Sequence, residues 1–97
     1  MHRVVSTYKA PAAVGAYSQG VWGGPFLFLS GQVALDPQTG KMAGDGDPAA
    51  ETVQVMKNIQ GVLNSQGMTL DHIVKADIYA ASIKDFKELN EVNKSFF

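Results

Sequence analysis

The spacing of apolar and polar positions changes repeatedly along this chain, and each change predicts an element. Arg3 to Thr7 is a short β-branched run, and Ser18 to Trp22 is a second candidate strand. Gly23-Gly24 supplies a tight turn, since glycine accepts positive φ. Pro25 then opens Phe26-Leu27-Phe28-Leu29-Ser30-Gly31-Gln32-Val33, which is apolar at successive positions and reads as a strand covered on both faces. Asp36-Pro37-Gln38-Thr39-Gly40 is a strong turn signal, and Met42 to Gly46 reads as loop. A helix follows: Asp47 suits the N-cap, Pro48 the first helical position, and Glu51 the positive end of the dipole. Val55, Met56, Ile59, Val62 and Leu63 give it one apolar face, and Gly67 ends it.

Ile73 to Ala80 alternates. Val74, Ala76 and Ile78 point one way and Lys75, Asp77 and Tyr79 the other, which predicts a half-buried strand. Ser82, with Asp85 three residues on, opens a second helix as a capping box. Phe86, Leu89, Phe96 and Phe97 mark its expected buried face. The order β-β-β-α-β-α, two helices against one sheet, is an α+β architecture in one domain spanning 1–97. The chain stops at Phe97 on two apolar rings, without the polar or glycine signals that usually end a helix.

Composition narrows the chemistry. The chain has 97 residues, 45% of them hydrophobic, and a net charge of −1 with both signs dispersed. No basic cluster predicts general nucleic-acid binding. No run is long and apolar enough to span a membrane, and Met1 to Val5 lacks a signal peptide's apolar core. Cytoplasm is the expected compartment, with the mitochondrial matrix the other one open. With no cysteine there is no thiolate nucleophile or zinc–thiolate site. His2 and His72 read as solvated or capping residues, and no metal is expected.

Three places carry polar residues where the pattern does not require them. Tyr17, within Gly15-Ala16-Tyr17-Ser18-Gln19-Gly20, is either a core tyrosine in a turn or one presented to a cleft. Ser30 and Gly31 end the most apolar strand; they form either a β-bulge or a place where a ligand approaches the backbone. Asn90 shares a helical face with Phe86, Asn93 and Phe97, and bonds either a neighbouring loop or a ligand.

Ala10-Pro11-Ala12-Ala13-Val14-Gly15-Ala16-Tyr17-Ser18-Gln19-Gly20 closely resembles the N-terminal motif of the RidA (YjgF-like) family. Phe28-Leu29-Ser30-Gly31-Gln32-Val33 with Asp36-Pro37-Gln38-Thr39-Gly40, then Asn58-Ile59, Val74-Lys75 and Asp85-Phe86 through Asn90 to Phe97, are similar to later segments of it. Ala16 departs from the family's usual proline, which implies a looser turn before Tyr17. The resemblance implies a chorismate-mutase-like fold of the trimeric bacillus type, a mixed sheet backed by two helices. It implies a homotrimer with clefts between subunits and no cofactor. The implied activity is hydrolysis of reactive enamines and imines, such as 2-aminoacrylate and 2-iminobutanoate, to 2-oxo acids and ammonia. Tyr17 would line the cleft, Ser30 and Gly31 would contact substrate, and Asn90 would bond at its edge.

Family members continue past the two phenylalanines into an arginine-bearing motif and two more strands. The arginine grips the substrate carboxylate, and a later glutamate positions water. Neither is among these 97 residues, so the chain is expected to be C-terminally incomplete and weak as an enzyme. The competing readings are a translation-inhibiting ribonuclease, which the charge pattern supports little, and a non-enzymatic binding or chaperone-like module.

Overall fold

A computed structural model describes residues 3–78 and 83–97. Three strands, β1 (Arg3–Val5), β2 (Gly20–Gly23) and β3 (Phe26–Leu29), pair antiparallel in the order β1-β2-β3. Gly24 and Pro25 close the β2–β3 hairpin, with Gly24 at φ +58°. Proline cannot take positive φ, so the primed turn that fits is the one needing positive φ at its first central residue only.

Register sorts the side chains onto two faces. Arg3, Trp22 and Leu27 form one cross-strand row, and Val5, Gly20 and Leu29 another on the same face. This face packs on Val62, with Ala10 beside it, as the first part of the core. The opposite face carries Val4, Val21, Phe26 and Phe28, and Phe28 is 64% exposed. The expectation that β3 is covered on both sides is therefore corrected. Among the described residues the helices lie on one face only, and the strand ends at Leu29.

Helix α1 (Pro48–Ser65) forms as its local signals require. The Asp47 carboxylate accepts a hydrogen bond from the Ala49 amide, and Pro48 fills the first turn without leaving a donor unpaired. At the other end Gly67 takes φ +72°. Its amide bonds Asn64 O and the Met68 amide bonds Leu63 O, closing the last turn as a Schellman motif. Met56, Val62 and Leu63 are buried along the predicted stripe.

Helix α2 (Ile83–Ser95) packs against α1, and Phe96 joins the core of Met56, Leu63 and Leu70. Phe86 and Phe97 are exposed, so only part of the predicted aromatic face is buried. The Ser82 cap lies outside the described residues. His72 caps a short 3-10 turn, Leu70–His72, by accepting from the Thr69 amide at 3.0 Å.

Residues 73–78 form no strand, although their alternation predicts one. Val74 is 88% exposed, and Lys75 and Asp77 pair in solvent at 3.9 Å. Alternation prepares two faces, but a strand exists only when a ladder takes up its amides and carbonyls. Among the described residues none pairs with this segment. The described part of the sheet is three-stranded and antiparallel and is accompanied by two helices, consistent with the expected architecture without its further strands.

Candidate functional site

Two stretches remote in sequence, 11–19 and 30–35, meet where β3 ends. The Ser30 amide donates to Gln19 O at 3.1 Å, and the Ser30 hydroxyl donates to Ser18 O. These two bonds tie the exit of β3 to the entry of β2. The junction leaves an open cleft of about 340 Å³ whose walls include Val14, Tyr17, Ser18, Ser30, Gly31 and Val33.

Three of the four predicted site residues thus come together. Tyr17 is 76% exposed, which excludes the core-tyrosine alternative. A Cβ added at Gly31 would meet nothing within 4 Å, so the chain's own packing does not demand glycine there. Asn90 is half-buried on α2 and does not line this cleft.

Two buried amides that the sequence reading did not single out hold the walls. Gln19 is 5% exposed. Its Oε1 accepts from the Thr7 amide at 2.6 Å, and its Nε2 donates toward Thr7 O, Ala10 O and Pro11 O at 2.9, 3.1 and 2.8 Å. Asn58 is 1% exposed on α1. Its Nδ2 donates to Val33 O at 3.1 Å and Leu35 O at 2.8 Å, while its Oδ1 accepts from Gln54 Nε2 at 2.9 Å. Both amides are satisfied, as buried polar groups must be. A signal was present for Asn58: it sits three residues after Val55 and four before Val62, a polar residue inside an apolar stripe.

Gly61 secures the same wall from below. A Cβ there would lie 2.2 Å from the Lys9 carbonyl oxygen. Only glycine lets the 7–11 segment lie this close on α1.

The cleft offers neutral polar groups: the Ser30 hydroxyl, the Tyr17 phenol and backbone amides. Among the described residues the Gly31 N–H has no acceptor. Such a set suits a carboxylate, carbonyl or imine group. No carboxylate or histidine lines it, and no group of three potential metal ligands exists among the described residues.

Comparison with known proteins shows the family. Residues 7–97 match the family described as endoribonuclease L-PSP. The chain is 43% identical over 95 residues to a RutC family protein of Aquifex aeolicus, covering 98% of this chain and 74% of the relative. It is 38% identical over 97 residues to human 2-iminobutanoate/2-iminopropanoate deaminase, covering 100% of this chain and 70% of that one. Among solved structures, RidA from Psychrobacter sp. superimposes with a TM-score of 0.91 at 37% identity, covering 98% and 76% of the two chains. A Rid family protein from Yersinia pestis gives 0.95 at 36% identity, covering 100% and 76%.

Proposed function

The chain belongs to the endoribonuclease L-PSP (RidA/YjgF) family, which includes proteins named as 2-iminobutanoate/2-iminopropanoate deaminases, and from that premise we propose that it serves imine and enamine hydrolysis. In this reaction water adds to the C=N carbon of a 2-imino acid. Ammonia then leaves, and a 2-oxo acid remains. The observation carrying the proposal is the meeting of Tyr17, Ser30 and Gly31 at one open cleft. A second support is that the side chains and amides there are neutral, as suits a small acid's polar end.

In the proposed roles, the Gly31 amide donates to the reacting group, the Ser30 hydroxyl, whose proton goes to Ser18 O, accepts from the imine N–H, and Tyr17 covers it. Oriented donors at the developing charge are the main source of rate in such a site. Asn90 enters as a contact at the cleft edge once three copies assemble, because it lies apart from the cleft within one chain. The arginine and glutamate implied by the resemblance are not among these residues, so the cleft supplies only part of the proposed site. The ribonuclease reading has less behind it: His72 Nδ1 is engaged in a cap, leaving no histidine pair among the described residues.

The test is a titration with 2-oxobutanoate, the product of 2-iminobutanoate hydrolysis, followed by amide chemical shifts. The amides of Ser30, Gly31 and Gln32 are expected to move together and saturate. Shifts confined to the sheet's outer face, or none at millimolar ligand, would sink the assignment.

A further inference from the structure

We infer that Gln19 is a positioning residue for the cleft: its buried side chain fixes residues 7–11, while its own backbone fixes Ser30. The inference rests on the reading of the Tyr17–Ser30–Gly31 cleft as a substrate site. Its side chain holds one wall and its backbone carbonyl the other.

The geometry is specific. One amide group meets four backbone groups of the 7–11 segment, Thr7 N–H, Thr7 O, Ala10 O and Pro11 O. These segments have no ladder of their own, so the Gln19 side chain substitutes for one. The same residue's carbonyl accepts from the Ser30 amide, and the adjacent Ser18 carbonyl accepts from the Ser30 hydroxyl. A shift of Gln19 therefore displaces the strap that carries Pro11 to Val14 and the serine on the facing wall together. Tyr17, two residues upstream, moves with them. A second cleft of about 540 Å³ shares Ala12, Ala13, Tyr17, Ser18 and Gln19 with the first, so the strap is bordered by open space on two sides. The Lys9–Gly61 approach and buried Ala10 hold its start, while residues 12–14 are exposed and depend on the Gln19 bonds just before them. Gln19 touches no reacting atom in this account, and its effect passes through Ser30 and Tyr17.

The test uses the full chain and two variants. Gln19→Leu removes every side-chain bond. Gln19→Glu keeps the shape and an acceptor for the Thr7 amide, but sets a carboxylate against three carbonyls. Residue-resolved hydrogen exchange is measured alongside 2-oxobutanoate affinity. In Gln19→Leu the Ser30 amide is expected to exchange roughly tenfold faster while Met56, Val62 and Leu63 on α1 stay unchanged, because local opening is separable from global unfolding. Ser30 is the informative amide, since its acceptor is backbone and survives the substitution. Affinity for 2-oxobutanoate falls about tenfold in both variants. Exchange that rises uniformly across α1 and the cleft would reduce Gln19 to a stability residue and overturn the inference. Unchanged Ser30 exchange would also overturn it. Should the unaltered chain fail to bind 2-oxobutanoate, the deaminase reading falls. The exchange comparison still decides whether Gln19 positions Ser30.

Discussion

Replacing Gly61 by alanine is expected to destabilise the fold by about 2 kcal/mol, lowering the melting temperature by roughly 10 °C. The sign is opposite to the usual one. Glycine inside a helix normally costs about 1 kcal/mol relative to alanine, so the exchange should help. Here the added carbon would sit 2.2 Å from the Lys9 oxygen and 2.8 Å from the Lys9 carbonyl carbon, both backbone atoms. Backbone cannot swing aside as a side-chain tip does. Either the 7–11 segment lifts off α1 or the helix shifts, and each breaks contacts around Val62 and Ala10. Because 7–11 also carries the Gln19 bonds, loosening is expected at the cleft as well as in the melting curve. A Gly61→Ala chain that melts at or above the original temperature would show that this close approach is not part of the fold.

Asn58→Asp is expected to cost about 3 kcal/mol, measured by urea unfolding at neutral pH with an unchanged slope. The substitution conserves shape, so packing of α1 is not disturbed. What changes is chemistry. The side chain loses both N–H donors to Val33 O and Leu35 O, and places a carboxylate against those two carbonyls in a site 1% exposed. Burying such a group with Gln54 Nε2 as the one donor the structure gives it is among the more costly single changes in a small domain. A midpoint shift corresponding to less than about 0.5 kcal/mol would mean that the 33–35 wall is held by something else.

How much of this was readable depends on how local each cause is. Both ends of α1 were legible, because Asp47, Pro48 and Gly67 act on amides and carbonyls within a few residues. The hairpin was legible for the same reason, with its turn at Gly24-Pro25, one residue later than the expected Gly23-Gly24, and so was the Asp36–Gly40 turn, which closes through Gly40 N–H to Asp36 O. Ile73 to Ala80 shows the limit. Alternation was present, yet among the described residues no partner supplies a ladder at 73–78, and periodicity does not encode partners. The exposed Phe26 and Phe28 show it again: an apolar run states that a face wants cover, not that cover lies opposite.

The site divides the same way. Tyr17, Ser30 and Gly31 were singled out from pattern and resemblance together, and the fold gathers them. Asn90 was singled out with them, and its separation from the cleft depends on how α2 sits on α1. Gln19 and Asn58 were passed over as functional supports. The backbone groups their side chains hold lie 8 to 25 residues away and carry no sequence signature.

The most direct measurement of the central claim is an imine-hydrolysis assay on two proteins. One is this chain, and the other is this chain joined to the C-terminal segment of the human deaminase. 2-Iminobutanoate is generated in place by an amino-acid oxidase, and keto-acid release is followed against semicarbazide trapping. The account predicts clear acceleration by the joined chain, loss of most of it on Ser30→Ala, and at best slow release by the 97-residue chain alone. A joined chain that is folded yet no faster than buffer, or one indifferent to Ser30→Ala, would contradict the assignment of this cleft to imine hydrolysis.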